Sequence, residues 1–575
     1  MRFRDFTEYL KALEKTSGRT EMYRLLGELF LRAGGPEARQ IAYLLEGRLL
    51  PAFEGVETGM GERTIAAAIA SASERAPEDV ALVSGELGDL GLAAESLIPG
   101  PGRSRLAVSD VYESLLSLAR TGGKGSSESK REQLAALLRS ATPTEVRYIV
   151  RITQGRLRLG VAAPTIIESV ARLEVDPKRA RQTIERAFNL CSDLGAVLTA
   201  VRDGGLGALS SFKVRVGNPV RPMLAGRLPS AEKIIEKIGR CAVESKLDGF
   251  RCQVHLKSGR VEMFSRNLER TTGMFPDIAG AARTEVRARS AIIDGEALAL
   301  NEETGEFHPF QVTVQRKRKH QVAEAAEEFP LVLVAFDLLY LDGKDLTKAT
   351  YEERRARLQR ILGPGGGRIR LSEAITTETA AGLQGFFDEE VSQGHEGVVA
   401  KRLAAGYEPG ARNYNWIKLK RAYRGELSDT IDVALVGYLR GRGSRARLGI
   451  GALLGAVYDA CTDTFQTVGK IGSGLSDENW VRLRRLLDEV RAEARPARVD
   501  SRLTPDVWAE PRHVVTVLAD EVTRSPVHTA GRDARGRGLA LRFPRVVGFV
   551  REDKSAEDAT TTSEIEEMFA RQRKS

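Results

Sequence analysis

Glu244-Ser245-Lys246-Leu247-Asp248-Gly249-Phe250-Arg251 is the stretch whose local pattern sets the middle of this chain. An apolar run, Cys241-Ala242-Val243, leads into it, and an alternating run, Cys252, Val254 and Leu256, leads out. The pattern predicts a strand ending near Lys246, a turn at Asp248-Gly249 and a returning strand, which presents the lysine at a rim. Lysine at its reference value of about 10.4 is almost wholly protonated and cannot attack, so a nucleophilic lysine needs burial or cationic neighbours. Arg251 is one such neighbour. A charged hairpin turn has the same K-x-D-G-x-R appearance, and the octapeptide alone leaves both readings open.

With 575 residues the chain is long enough for three or four domains, each with its own core. Its formal net charge of +9 favours a polyanionic partner, although the excess is modest for this length. The four cysteines, Cys191, Cys241, Cys252 and Cys461, show no C-x-x-C spacing, which argues against a zinc module and a disulfide framework. A cytoplasmic location is expected. The first residues, Met1-Arg2-Phe3-Arg4-Asp5-Phe6, lack an apolar signal core, and no stretch approaches the roughly 20 apolar residues of a bilayer span. No membrane partner is expected.

Over residues 1–211 the periodicity is helical. Met22, Leu25, Leu26, Leu29 and Phe30 repeat at helical spacing before a stop at Gly34-Gly35-Pro36, and Tyr112, Leu115, Leu116 and Ala119 mark another helix ahead of a polar loop at 121–127. Thr142-Pro143-Thr144-Glu145 has the order of a capping box with proline at the first helical position. A helix starting there carries Arg147 and Arg151 on one face, and Arg156 and Arg158 follow within a glycine-bounded loop. Basic side chains so placed suit contacts to a duplex backbone, and they equally suit an ordinary solvated face. No fixed-period repeat is present, so the region reads as one helical domain.

Residues 212–421 switch to short strands with intervening helices, entered through a stretch punctuated by Pro219 and Pro222. Several strands are expected to end on polar residues: at Ser265-Arg266-Asn267, at Asp294-Gly295-Glu296 and at Asp337. His395-Glu396-Gly397 precedes Val398-Val399-Ala400-Lys401, and the alternation in Trp416-Ile417-Lys418-Leu419-Lys420 puts Lys418 and Lys420 on one face. Residues 422–575 are β-rich, with one amphipathic helix at Trp480, Leu483, Leu486 and Leu487 and a tail helix carrying Ile565, Met568 and Phe569. The expected fold class is multidomain: an all-helical N-terminal domain, a middle domain of mixed α/β sheets and a C-terminal OB-fold β-barrel.

Six short motifs in one order give the chain a resemblance to the ATP-dependent DNA ligases, and most closely to the long, archaeal-type members. Residues 246–251 resemble motif I of the covalent nucleotidyltransferases, Ser265-Arg266-Asn267 motif III, and Phe336 in Ala335-Phe336-Asp337 motif IIIa. Residues 396–401 resemble motif IV, Lys418-Leu419-Lys420 motif V, and Arg551-Glu552-Asp553-Lys554 motif VI. The resemblance makes the middle domain an adenylation domain. It implies that Lys246 attacks the α-phosphorus of ATP, that AMP passes to the 5′-phosphate of a nick, and that the 3′-hydroxyl then displaces it.

The resemblance further implies that Glu244 contacts the adenine edge, that Phe336 stacks on the base, and that Arg251, Arg266, Arg412, Lys418 and Lys420 meet phosphates and ribose. Glu296 joins this nucleotide set, and with Glu396 it would hold Mg²⁺, or Mn²⁺ in its place, because such an ion takes one or two carboxylates plus phosphate oxygens. Arg551, Asp553 and Lys554 would serve the first step. Arg147, Arg151, Arg156 and Arg158 would lie against nicked double-stranded DNA, in replication, repair or recombination.

A monomer is expected. No sliding-clamp motif of the form Q-x-x-apolar-x-x-aromatic pair occurs between Arg103 and Ala119, and Gln384 before Phe386-Phe387 has the wrong spacing, so clamp recruitment is unsupported. Two rival readings share parts of the pattern. An mRNA-capping guanylyltransferase or RNA ligase has the lysine motif but not the long helical domain, and an NAD-dependent ligase would carry a four-cysteine zinc module. A catalytically inert nucleic-acid scaffold would keep the fold without needing the lysine, both carboxylates and motif VI together.

Overall fold

The computed structural model describes residues 1–575 apart from 17, 158, 303–306, 309, 317, 319–320, 364–366, 394, 421–429, 442 and 575. The chain divides into two compact units, residues 1–80 with 94–421 and residues 81–93 with 422–575. Among the described residues no helix is long and apolar enough to cross a membrane.

The first unit opens with helices. Arg19–Arg32 buries Met22, Leu25, Leu26, Leu29 and Phe30, the face its periodicity marks. Gly34-Gly35-Pro36 ends that helix and starts the next, Gly35–Leu45, since proline is tolerated in a first turn where its missing N–H has no partner to lose. Pro143–Thr153 begins at the capping box, with the Thr142 N–H donating to Glu145 Oε2 at 2.8 Å. The polar loop expected at 121–127 is shorter than that, because the helix Ser126–Arg139 starts within it.

Beyond the helices the first unit builds two sheets. Strands β1 (Leu224–Arg227), β2 (Cys241–Lys246), β3 (Phe250–Lys257), β4 (Arg260–Ser265), β5 (Ser290–Ala299) and β6 (Leu331–Leu341) come first. They are followed by β7 (Lys344–Asp345), β8 (Ile369–Leu371), β9 (Ala374–Thr377), β10 (Gly397–Arg402) and β11 (Arg412–Lys420). One sheet has the order β1-β11-β10-β2-β9; the other runs β4-β3-β5-β6-β7 with β8 beside β6. Consecutive strands β2 and β3 therefore lie in different sheets, joined by residues 247–249.

In the first sheet, alternation sends Val243, Val398, Ala400, Ile417 and Leu419 toward the helices Ala231–Ile238 and Ala380–Ser392, where they form one apolar core. Their neighbours along the strands, Glu244, Lys246, Val399, Lys401 and Lys418 among them, face the other way. In the second sheet Cys252, Val254 and Leu256 pack with Ile293, Leu333, and the helices Pro276–Glu285 and Tyr351–Leu362.

Two expected strand ends are corrected here. Asp294-Gly295-Glu296 lies inside β5 and Asp337 inside β6. The strands run on because bulges at Ile292/Ile293 and Asp294/Gly295 absorb the polar residues without ending the ladder. Gly295 is required there: a Cβ would sit 2.9 Å from both the Leu333 side chain and the Val334 carbonyl oxygen.

The alternate side chains of β3, Arg251, Gln253 and His255, form a polar face that clasps the proline-punctuated entry. The Gly217 N–H donates to His255 Nδ1 at 2.9 Å, the Val220 N–H donates to Gln253 Oε1 at 2.8 Å, and Arg251 Nη1 donates to the Met223 carbonyl at 2.8 Å. Because Nδ1 of His255 accepts, its Nε2 carries the proton and donates to Gln253 Oε1 at 2.9 Å. Burial pushes this imidazole down to about 3, so it stays neutral. An unfolded histidine titrates near 6.5. Below that value the unfolded chain binds a proton that the folded chain refuses. The contribution is complete above about pH 6.5 and is lost as the pH falls, by about 2 kcal/mol at pH 5. His255→Gln is expected to lower the melting temperature at pH 7 and to flatten the further fall between pH 7 and pH 5, as read by thermal melts.

In the second unit the strand Ile431–Leu439 is central. It pairs with Ala452–Asp459 along one edge and forks on the other, where Val514–Leu518 takes its first half and Val507–Ala509 its second. Thr464–Ile471 and Arg545–Val550 extend the sheet, while Glu521–Ser525 and Gly538–Arg542 form a separate ribbon. The helix Asp477–Glu489 and the tail helix Thr562–Lys574 lie where the sequence places them, with Trp480, Leu483 and Ile565 in the core. An OB-fold barrel is the expectation here, and among the described residues its ladders form a path that does not close on itself. One edge of Ile431–Leu439 is shared by two short partners, a bulge between Leu435 and Gly437 interrupts the other edge against Ala452–Asp459, and the helix supplies Trp480 and Leu487 to the core.

Candidate active site

The uncovered faces of the two sheets and the turn between β2 and β3 bound a cleft of about 540 Å³. Lys246 enters it from the end of β2, as expected, and the turn beyond is tight. A Cβ on Gly249 would lie 2.4 Å from the Ala297 carbonyl oxygen, so glycine permits β3 to start beside β5. The Lys246 ammonium pairs with Glu396 Oε2, and the Lys420 ammonium pairs with the other oxygen of the same carboxylate. Burial would raise the Glu396 carboxyl, but Lys246 and Lys420 outweigh it and hold the group below the usual carboxylate range. Burial first, and then the Lys420, Lys246 and Arg412 charges, push the Lys418 ammonium below the ordinary lysine value. Glu296 faces Arg251 across the β3–β5 pair, and burial pushes its carboxyl up to about 7 against the pull of Lys246 and Arg251.

Arg251 is fixed on several sides. Its Nε and Nη2 donate to the two oxygens of Asp294 at 3.2 and 2.7 Å, and Tyr407 donates its hydroxyl to the same carboxylate at 3.0 Å. Its guanidinium lies 5.4 Å from the centre of the Phe336 ring, which meets Trp416 edge-on at 6.0 Å. Lys401 lies beneath these aromatics, 4.4 Å from the Trp416 ring centre, with its Nζ donating to Glu244 Oε2 at 2.8 Å and to the Phe336 carbonyl at 3.0 Å. Glu244 also accepts from Arg355 Nη1 at 3.2 Å and from the Tyr351 hydroxyl. Only 2 % of Glu244 is exposed, so its carboxylate is already satisfied within the protein.

The cleft brings together the residues assigned to nucleotide and metal: Glu244, Lys246, Arg251 and Arg266 line it, as do Glu296, Phe336, Glu396, Arg412, Lys418 and Lys420. Motif VI lies in the second unit, just beyond Arg545–Val550. Among the described residues no group of three or more His, Cys, Asp or Glu side chains is set to hold a metal ion by itself.

Sequence reasoning missed the supporting residues. Asp294 was legible only as a turn residue and Lys401 only as the last letter of a motif. Nothing local marks Tyr351 and Arg355, which come from a helix more than a hundred residues further along and act through the fold. One expectation is corrected. Arg147 and Arg151 do share a helix face, but it points inward: Arg147 Nη1 pairs with Glu95 at 3.3 Å, Arg151 Nη1 pairs with Glu14 at 3.2 Å, and Arg151 is only 4 % exposed. Acidic partners from other helices turn that face into a polar core. Arg156 is exposed. Arg158 lies outside the described residues.

Three family models match the chain: the DNA ligase N terminus over residues 2–171, the ATP dependent DNA ligase domain over 222–420, and the ATP dependent DNA ligase C terminal region over 446–554. A "Probable DNA ligase" of Dictyoglomus turgidum is 48% identical over 574 residues, covering 100% of this chain and 98% of its own. A "DNA ligase" of Pyrobaculum calidifontis is 42% identical over 586 residues, covering 100% and 99%. A solved structure named Pmar-Lig_PreS3 shares the fold with a TM-score of 0.54 at 17% identity, over 94% of this chain and 98% of its own. The chain belongs to the ATP-dependent DNA ligases. Members of this family are enzymes that use ATP to seal nicks in DNA.

Proposed function

We propose that the protein joins nicks through a covalent adenylate on Lys246 and a 5′-adenylated DNA intermediate. The observation that carries this reading is the setting of Lys246, in one cleft with the cations Arg266, Arg412, Lys418 and Lys420 and with the aromatic pair Phe336 and Trp416. Phosphoryl chemistry of this kind depends on positioning and on neutralising phosphate charge, and the cleft supplies both. Once its ammonium has given a proton to water in the open cleft, Lys246 attacks the α-phosphorus through Nζ, and the bond to pyrophosphate breaks as the N–P bond forms. The aromatic pair receives the base. Arg251, rigid between Asp294 and Met223, meets ribose and phosphate. Because the Glu244 carboxylate is satisfied by Lys401, Arg355 and Tyr351, its part in adenine binding falls to the main chain it shares with Ser245.

Mg²⁺, with Mn²⁺ as the alternative, would be held by Glu296 and Glu396. Two carboxylates beside a phosphate site are the donor set a hard divalent ion takes, and Glu396 is held in the ionised form a ligand needs. When bound, the ion neutralises charge on the phosphates. Arg551, Asp553 and Lys554 act on the leaving pyrophosphate in the first step. In this reading residues 1–211 grip the nicked duplex, 212–421 carry the chemistry and 422–575 supply motif VI, in a monomer.

Two measurements test the reading. Protein incubated with ATP labelled at the α-phosphate should acquire a covalent label that survives denaturation and alkali and is released by acid, as a phosphoramidate on lysine is, and a nicked duplex should be sealed with ATP but not with NAD or without cofactor. Label from GTP in place of ATP would favour a capping enzyme, and no label would favour an inert scaffold. Duplex binding gives a further expectation. Arg156→Ala should flatten the log–log salt dependence of affinity by about 0.9, the value for one phosphate contact. Arg147→Ala should leave the slope unchanged and lower the melting temperature instead, since its charge is turned inward. Titrations at several salt concentrations decide the point, and an unchanged slope for Arg156→Ala would place that side chain on a solvated face.

A further inference from the structure

The two cations of motif VI are held by a residue outside the motif. Asp432, near the start of the strand Ile431–Leu439, is 8 % exposed. Its Oδ1 accepts from the Thr516 hydroxyl at 2.6 Å, and its Oδ2 accepts from Lys554 Nζ at 2.7 Å and lies 3.6 Å from Arg551 Nη1. Arg551 also forks onto Asp553, with Nε and Nη2 donating at 2.7 and 2.6 Å. The main chain of Asp432 is anchored as firmly as its side chain. Its N–H donates to Thr560 Oγ1 at 3.0 Å, and its carbonyl accepts from the Thr560 N–H at 2.9 Å. The Arg551 N–H in turn donates to the Val514 carbonyl at 2.8 Å.

A fixed, nearly buried carboxylate thus grips two long side chains that stay partly in solvent, Lys554 at 31 % and Arg551 at 36 % exposed. A lysine left to itself samples many rotamers, and ordering it at a phosphate costs up to about 2 kcal/mol. Held by Asp432, the ammonium is ordered beforehand. One of its three donors goes to the carboxylate, and two remain for an incoming anion.

We propose that Asp432 is a positioning residue for the first step: it sets Lys554 and Arg551 side by side, so that motif VI meets the leaving pyrophosphate as a preassembled pair of cations. The inference rests on the role given to motif VI above and extends it to a residue more than a hundred positions earlier in the chain. A carboxylate that instead locked the cations away from substrate would have the same contacts in this structure, and the two roles differ in the sign of the effect when the charge is removed.

The test uses the full chain and two substrates, ATP for self-adenylation and a nicked duplex already carrying a 5′-adenylate for sealing. Asp432→Asn keeps the side-chain shape and removes the charge. Its kcat/KM for self-adenylation should fall roughly 10- to 100-fold, the usual effect of losing a group that orients a working side chain. Sealing of the pre-adenylated nick, where no pyrophosphate leaves, should stay within about threefold of the unmodified protein. Because Asp432 acts through Lys554 and Arg551, adding Asp432→Asn to the double variant Arg551→Ala/Lys554→Ala should slow self-adenylation no further. Should Asp432→Asn fail to fold, Thr516→Val removes one bond to the same carboxylate and should give the same split, smaller in size. Unchanged or faster self-adenylation by Asp432→Asn overturns the inference, as does equal loss of both activities, which marks a structural role. Normal self-adenylation by Lys554→Ala would show that the role given to motif VI has failed, and the inference with it.

Discussion

Lys246→Ala is expected to abolish transfer of AMP from ATP to the protein, a loss on the order of a millionfold by comparison with the removal of other covalent nucleophiles. The fold should survive the change. The lysine side chain is 22 % exposed, and Glu396 keeps Lys420 as a partner, so no buried charge is left alone. Affinity for nicked duplex should remain within about twofold, because the variant removes one charge from a cleft that retains Lys418, Lys420, Arg266 and Arg412. Lys246→Arg is the informative control, since it keeps a cation beside Glu396 without a competent amine. Both variants should melt like the parent and take no label from ATP carrying a labelled α-phosphate. Label retained by either would put the nucleophile elsewhere.

Asp337→Ala is expected to cost about 3–5 kcal/mol of stability, the range for stripping one partner from a buried ion pair. Arg354 donates from Nε and Nη2 to the two Asp337 oxygens at 2.7 and 2.9 Å, and both side chains are fully buried. The remaining acceptors of Arg354, the Ala349 and Ala405 carbonyls, carry no full charge to offset the guanidinium. Asp337→Leu combined with Arg354→Met should recover much of the loss, because removing both charges also removes the desolvation penalty. Chemical denaturation of the two variants and the parent measures this, and a cost below about 1 kcal/mol for Asp337→Ala would mean that water reaches the guanidinium. The effect extends to the cleft. Arg354 anchors the helix Tyr351–Leu362, whose Tyr351 and Arg355 hold Glu244, so nucleotide affinity should weaken along with stability.

What the sequence revealed was whatever repeats at short range. The period of two in β11 placed Lys418 and Lys420 on one face, the apolar run ending in a turn put Lys246 at a strand end, and the helical period found the buried face of Arg19–Arg32. Charge alone did not tell inside from outside. Arg147 and Arg151 read as a basic surface because the acids that pair with them, Glu14 and Glu95, come from other helices. Asp294 and Asp337 read as strand ends because a carboxylate seldom sits mid-strand unpaired, and the pairing with Arg251 and Arg354 exists only in three dimensions. The path of the C-terminal sheet was not legible for a related reason. A count of strands does not say which edge each one meets, and the fork on Ile431–Leu439 is a matter of register.

The separation of β2 and β3 into different sheets has a mechanical consequence. The chain crosses between the sheets at residues 247–249 and again at 372–373, between β8 and β9. Neither crossing carries a ladder, so the two sheets are held to each other by side chains: Tyr407 donates to Asp294, Lys401 donates to the Phe336 carbonyl, and Met223 and Trp416 pack with Ile292 and Leu339. Both crossings touch the nucleotide site: the first follows directly on Lys246, and Ser372 in the second shares Arg355 with Glu244. The residues that line the nucleotide cleft are therefore also the ones that join the two sheets, and a substitution among them would loosen the walls as well as the site.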